Sequence, residues 1–316
     1  MSQAPAQPLH RSHLQEKLRA GQFVMTAEIT PPVSFDANDL LQKVLPLCGL
    51  ADAVNVTDGA SARAHMSAPI AAALLQQNGI EPILQLTCRD RNRIALQADL
   101  LGAAATGVHN LLLLTGDDPK AGDQPATKAV FDIDSTKLTD MARRMRNGGE
   151  LPTGRKIAGK AAFFLGAADL PIDPPPDWQP TKLAAKAAAG AQFVQTQFCM
   201  DAGVARRYAQ RLAEHELTRD LFLLIGIAPL RSAKSAAWMK QHLFGTIIAE
   251  AYVERMEKSS DPAAEGERIC VELIAELSQI PGVHGVHIMA PANESALPRV
   301  MTTARSLLSE MPGTRP

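Results

Sequence analysis

Residues 108–119, VHNLLLLTGDDP, decide the fold. Four consecutive leucines, Leu111–Leu114, follow a polar lead-in and stop at Thr115-Gly116-Asp117-Asp118-Pro119. A short apolar run bounded by turn residues suits a strand buried on both faces, as in a parallel sheet. The stretch before it, Arg91–Thr106, is Ala/Leu-rich with helical spacing, and Gly107 stands where a C-terminal glycine ends a helix. A helix therefore feeds a buried strand, and the strand delivers an acid into a glycine turn. Parallel α/β folds carry their chemistry at such strand ends.

Outward from this stretch the same unit repeats. Strands are expected upstream at Gln22–Glu28, Ala51–Thr57 and Pro82–Thr87, the first stopped by Pro31-Pro32. Between them run helices from Asp36 to about Cys48, from Ser67 to Asn78, and from a cap at Asp90 through Thr106. Downstream, strands are expected at Gly159–Leu165, Gln192–Thr196, Leu221–Ile225 and Val283–Ile288. Helices separate them at Ser135–Asn147, at Thr181–Ala189 and after Asp201, with a long helical excursion at Ser232–Ile280 and a terminal helix near Glu294. Eight strands alternating with helices predict an α/β chain with one domain, an eightfold β/α (TIM) barrel over residues 21–312. A flexible tail and short helix are expected before it, in residues 1–20. A doubly wound dinucleotide sheet would carry GxGxxG after its first strand, and this chain does not.

The charge balance, 32 basic against 33 acidic residues, gives no basic surface for nucleic acid or an anionic membrane. No apolar run approaches the ~20 residues that span a bilayer. The N-terminus has no apolar core of a secretory signal, so a cytoplasmic location is expected. Cys48, Cys88, Cys199 and Cys270 form no CxxC pair, so neither a disulfide framework nor a metal site is expected.

A barrel would gather Glu28, Thr57, Asp58, Thr87, Thr115, Asp117 and Gln197 at its mouth, at the ends of strands whose interiors otherwise read as apolar. Singly these residues are ordinary. Glu28 alone reads as a solvated strand end, Asp117 equally as a turn residue, and Thr57 and Thr87 as strand formers. Gln197 says more, because a buried amide needs partners. His284 and His287 fall on opposite pleats of one strand and read as structural. Trp238 and Met239 read as core, Lys186 as a solvated charge and Asp201 as a helix cap. The residues alone give an α/β barrel enzyme with an acid-lined mouth.

Six segments go further when taken together: AEITPP (27–32), TDGA (57–60), QLTC (85–88), TGDDP (115–119), KAAAGAQFVQTQF (186–198) and GIAPL (226–230). Occurring in this order at strand ends, they resemble the methylenetetrahydrofolate reductase family over nearly the whole chain. The stretch 261–290 looks closest to short bacterial members that consist of the catalytic barrel only. The resemblance implies flavin-dependent reduction of 5,10-methylenetetrahydrofolate to 5-methyltetrahydrofolate with NADH or NADPH. The flavin would be FAD, with FMN as the alternative, and the nicotinamide dinucleotide and the folate would use one open mouth in turn. A homo-oligomer serving one-carbon metabolism is expected.

Residue by residue, Glu28 matches the family's general acid, which protonates the departing folate nitrogen. Desolvation against flavin and the Asp117 carboxylate would help it keep that proton. Asp117 matches the aspartate beside the flavin that also binds the pterin, and Gln197 the amide that reads the folate. Thr57, Ala60, Thr87, Leu114, Thr115, Gly116, Asp117 and Lys186 match cofactor contacts. The chain departs from the family at Thr115, where an arginine is usual, and at Gln85, where a histidine is usual. It departs again at Leu165–Pro171 (LGAADLP), in place of a Tyr-Pro-Glu-x-His-Pro grip on the cofactor, and no aromatic lid is clearly matched, though Trp238 is near. Two alternatives stay open: direct NADH-to-folate hydride transfer without flavin, and a non-catalytic folate-binding subunit.

Overall fold

Each strand of the chain buries both faces, and a closed parallel barrel is what results. A computed structural model describes residues 12–311, so the expected tail over residues 1–11 and the barrel's expected last residue, 312, lie outside the described residues. The barrel strands are β1 (Val24–Ile29), β2 (Ala53–Val56), β3 (Pro82–Thr87), β4 (Asn110–Leu114), β5 (Phe164–Asp169), β6 (Phe193–Met200) and β7 (Phe222–Ile227). A two-residue strand, β8 (Ile247–Ile248), precedes the last, β9 (Gly285–Ile288). Each of β1 to β6 pairs in parallel with the next, and β9 pairs with both β7 and β1, closing eight strands into a ring. Strand β8 stands outside the ring and extends the end of β6 through Cys199 and Met200.

The helices are α1 (His13–Arg19), α2 (Ala37–Val44), α3 (Ala68–Gln77), α4 (Arg93–Ala105), α5 (Ser135–Gly148), α6 (Thr181–Ala189), α7 (Ala202–Glu214), α8 (Ala233–His242), α9 (Glu250–Lys258), α10 (Pro262–Ser278) and α11 (Leu297–Glu310). They pack on the outward residues of the strands, such as Ala27, Val54, Leu84 and Leu113. The inward residues form a separate cluster at the amino end: Val24, Ala53, Ile83, Leu112, Phe164, Phe193 and Leu224. Alternation along a strand sends these two sets to opposite faces.

Helix α1 closes the amino end of the barrel, with Leu14 and Leu18 packed into that inner cluster. Its first free N–H groups are all satisfied. Ser12 accepts from Gln15, and the Glu81 carboxylate accepts from His13 and Leu14 at 2.8 and 3.0 Å. Gly166 makes room for the Phe193 ring, since a Cβ there would lie 2.2 Å from it.

The expected elements are all present, with three local corrections. Helix α4 is capped by Asn92, which accepts from Ile94 and Ala95, while Asp90 is turned to the Arg89 guanidinium. Strand β5 begins at Phe164 rather than Gly159 and runs on to Asp169, past the expected end at Leu165. The Ser232–Ile280 excursion is three helices, α8 to α10, with β8 between the first two.

Candidate active site

At the carboxyl end of the ring lie two cavities of about 600 and 410 Å³ that share Glu28, Gln85, Leu114, Gln197 and Met289. The larger also takes in Thr57, Ala60, Thr87, Thr115, Gly116 and Asp117. Lys186 lies in the smaller, with Asp169 and Lys182. Every residue named from the sequence as catalytic, substrate-binding or cofactor-binding thus borders one of these two adjoining cavities.

Glu28 is near the end of β1 and projects inward, its side chain about a quarter exposed. Gln85 Nε2 donates to Glu28 Oε2 at 2.8 Å, and His287 Nε2 stands 3.4 Å from the same oxygen. Asp117 is exposed on the turn after β4, where Gly116 is left-handed at φ 93°. A Cβ on Gly116 would sit 3.0 Å from both Thr87 and Arg89, so this turn depends on glycine. Thr115 lies on the same turn, but its hydroxyl is committed to the start of α5, 3.2 Å from Ser135 Oγ.

Gln197 sits on a β-bulge of β6 between Gln195 and Phe198. Its Oε1 accepts from the Phe198 N–H at 3.0 Å, while its Nε2 has no hydrogen-bond acceptor among the described residues. The bulge thus fixes the amide and leaves a donor for a ligand. Thr57 Oγ1 is buried on the cavity wall with no hydrogen-bond partner. A buried orphan of this kind calls for a group from outside the protein.

The mouth's cations are largely committed. Asp58 accepts from Thr87 through N–H (2.7 Å) and hydroxyl (2.9 Å), and pairs with Arg91, which also reaches Asp99 at 2.9 Å. Arg89, 4% exposed, is held by Asp90 and the Gly59 carbonyl. In the smaller cavity Lys186 is half-buried and donates to the Ala168 carbonyl at 2.5 Å, so it is not the solvated charge its helix suggested. Burial pushes its pKa down, with Asp169 opposing. Asp169 is hydrogen-bonded by the Tyr208 hydroxyl, and burial pushes its carboxyl up.

The structure corrects three other readings. Strand interiors are not uniformly apolar: Thr26, Asn55, Asn110, Gln195 and His287 are all buried within them. His287 is not merely structural in position, for it reaches Glu28. Trp238 is half exposed on the wall of the larger cavity and stacks on His242 at 4.9 Å, whereas Met239 is core. A signal for the polar interior was available, since Thr26, Asn55, Gln85 and Gln195 each stand two residues before a mouth residue and so share its inward face.

The geometry fits a flat heteroaromatic ring system such as a flavin's. The mouth is large enough, and Thr57 Oγ1 on its wall has no hydrogen-bond partner among the described residues. Among the described residues no group of three or more His, Cys, Asp or Glu side chains is arranged to hold a metal ion. None of the described helices is long and apolar enough to cross a membrane.

A family model described as methylenetetrahydrofolate reductase matches residues 13–305. Among curated proteins, a probable methylenetetrahydrofolate reductase (NADPH) of Caenorhabditis elegans is 26% identical over 74% of this chain and 34% of its own length. Methylenetetrahydrofolate reductase 2 of Schizosaccharomyces pombe is 25% identical over 72% of this chain and 36% of its own length. The chain thus spans about a third of the length of the curated relatives it matches. Among solved structures, an uncharacterized Clostridium thermocellum protein that binds two copies of 5-methyl-5,6,7,8-tetrahydrofolic acid superposes with TM-score 0.64 and 14% identity, over 94% of this chain and 100% of that one. The EDTA monooxygenase of Chelativorans sp. BNC1 gives 0.59 and 11%, over 93% and 95%. At such identities the likeness is one of fold.

Proposed function

The chain belongs to the methylenetetrahydrofolate reductase family, and we propose that it reduces 5,10-methylenetetrahydrofolate to 5-methyltetrahydrofolate with a reduced nicotinamide. The observation that carries this reading is Glu28: a partly buried acid at the floor of a cavity sized for a pterin, with one oxygen accepting from Gln85 and facing His287, and the other without a donor among the described residues.

The residues then take these roles. Opening the folate's five-membered ring breaks the bond between the methylene carbon and N10, and N10 needs a proton as it leaves. Glu28 supplies it, and the resulting iminium carbon accepts the hydride. Asp117 and the free Nε2 of Gln197 bind the pterin's polar edge and orient the methylene carbon. Thr57, Ala60, Thr87, Leu114, Thr115, Gly116, Asp117 and Lys186 border the space where FAD or FMN would bind, Thr57 with a hydroxyl unpaired among the described residues. When bound, the flavin supplies a carrier that takes hydride from NADH or NADPH and holds it for the folate.

One observation favours a second reading, direct hydride transfer from nicotinamide to folate. Arg89 and Arg91 are already paired with Asp90, Asp58 and Asp99, so among the described cations lining the two cavities only Lys182 and Lys186 lack a carboxylate partner for a flavin dinucleotide's phosphates to displace.

The test is anaerobic turnover of the purified protein with methylenetetrahydrofolate, each nicotinamide and each flavin, with the visible spectrum recorded throughout. Flavin bands that bleach with nicotinamide and return with folate support the flavin reading. Folate-dependent nicotinamide oxidation by a colourless protein supports direct transfer. Glu28→Gln is expected to abolish 5-methyltetrahydrofolate formation in either case, while leaving nicotinamide-dependent bleaching of any bound flavin. Folate binding without turnover under every condition would make the protein a binder and sink the reductase reading.

A further inference from the structure

Beneath Glu28 the barrel axis is filled by a closed set of polar side chains. Asn55 and Gln195 pair through both amides, Nδ2 to Oε1 at 2.7 Å and Nε2 to Oδ1 at 3.0 Å. Gln195 Nε2 also lies 3.1 Å from Thr26 Oγ1 and 3.3 Å from His287 Nδ1, and Thr26 Oγ1 lies 3.0 Å from that ring nitrogen. All four residues are at most 2% exposed. The Gln195 amide gives its two hydrogens to Asn55 Oδ1 and Thr26 Oγ1, so the Thr26 hydroxyl is the donor left for Nδ1. That hydroxyl lies 3.0 Å from Nδ1 against 3.3 Å from the Val286 carbonyl, which puts the ring proton on Nε2, on the side of Glu28.

That nitrogen and Gln85 Nε2 converge on one oxygen of Glu28, Oε2, at 3.4 and 2.8 Å. The longer contact is of the kind that tightens when substrate excludes water. Oε1 receives no hydrogen bond from the described residues. An oxygen that accepts from Gln85 and faces the His287 ring nitrogen is the poorer place for a proton, since protonating it opposes both groups.

We propose that His287 is a positioning residue for Glu28: with Gln85 it holds Oε2, so that Oε1 is the oxygen that carries the proton to the substrate. This rests on the reduction reading above. The titratable groups that share the cavity lobe with the ring are Glu28, Asp169, Lys182 and Lys186; on its other side the ring's hydrogen-bond neighbours are the neutral Thr26 and Gln195.

The test measures folate reduction across the neutral pH range in wild type, His287→Ala and His287→Gln, with the ring's tautomer read by nitrogen-15 NMR of histidine-labelled wild type. His287→Ala is expected to lower kcat about 100-fold while KM for folate changes by less than about threefold, as for a misplaced reacting group. His287→Gln places an amide donor at similar reach and should restore most of the rate. A Gln variant as slow as the Ala variant, or an Ala variant that raises KM for folate as much as it lowers kcat, overturns the role. So does a ring protonated at Nδ1 rather than Nε2, a result that needs no turnover and stands even if the Ala variant fails to fold. A wild type that reduces no folate with any nicotinamide or flavin overturns the reduction reading, and this role with it.

Discussion

The two histidines of the last strand show how little a residue's type says without its neighbours. His284 and His287 are three positions apart and so face opposite ways. His287 turns into the barrel to meet Glu28. His284 lies against Phe222 with rings 5.2 Å apart at 85°, and its Nδ1 accepts from the Leu223 N–H at 3.1 Å. Burial pushes the pKa of His284 below its ordinary 6.5, with a backbone hydrogen bond at Gly282 partly opposing. The sign follows: its contribution to stability is complete above pH 6.5 and is lost as pH falls through the lower folded value. His284→Asn keeps an acceptor for Leu223 but does not titrate. Its melting temperature should therefore fall less between neutral and mildly acidic pH than that of wild type, by scanning calorimetry at matched ionic strength. Parallel losses in the two proteins would take His284 out of the account.

At the scale of elements, what the sequence made legible was period and punctuation. Gly79, Gly107 and Pro31-Pro32 stop elements where the structure stops them, and β3 and α6 have the bounds read from the residues. Caps were harder, because Asp90 and Asn92 are equally good capping residues two positions apart. The guanidinium of Arg89, brought beside Asp90 by the chain's own turn, takes one of them and leaves the other to the helix. Asn92→Ala is expected to lower stability by about 1 kcal/mol in urea titration with the slope unchanged. No change would mean that α4 is held by its packing alone. Strand β5 was misplaced because GKAAFFL and GAAD are both plausible strands, and only pairing to β4 and β6 selects the second.

Across the whole molecule the barrel has an order from bottom to top: an apolar plug, a polar axis and an open mouth. Helix α1 supplies the plug, and Leu18 in it is 2% exposed. Lys17 ties the helix to Asp52 at 2.7 Å, and Arg305 of the last helix reaches the same carboxylate at 3.0 Å, so the first and last helices share an anchor. Leu18→Ala should cost about 2–5 kcal/mol as a core truncation. A loss near zero by chemical denaturation would show that α1 does not unfold together with the barrel.

The sequence by itself determined the barrel and its mouth. Strand spacing, buried runs and terminal turns are local properties, and a parallel ring brings all carboxyl ends together whatever its details. Glu28, Asp117 and Gln197 were therefore nameable as neighbours before any coordinates. Tertiary structure alone decided what each does with its hydrogen-bonding capacity. Thr115 gives its hydroxyl to Ser135, Arg89 and Arg91 are spent on carboxylates, and Thr57 keeps an unpaired oxygen at the cavity. The Asn55–Gln195–His287 set beneath Glu28 belongs to this second kind, because its members lie on β2, β6 and β9 and meet only when the ring closes. A hydrogen bond depends on tenths of an ångström between residues far apart in the chain, and strand periodicity does not encode that distance.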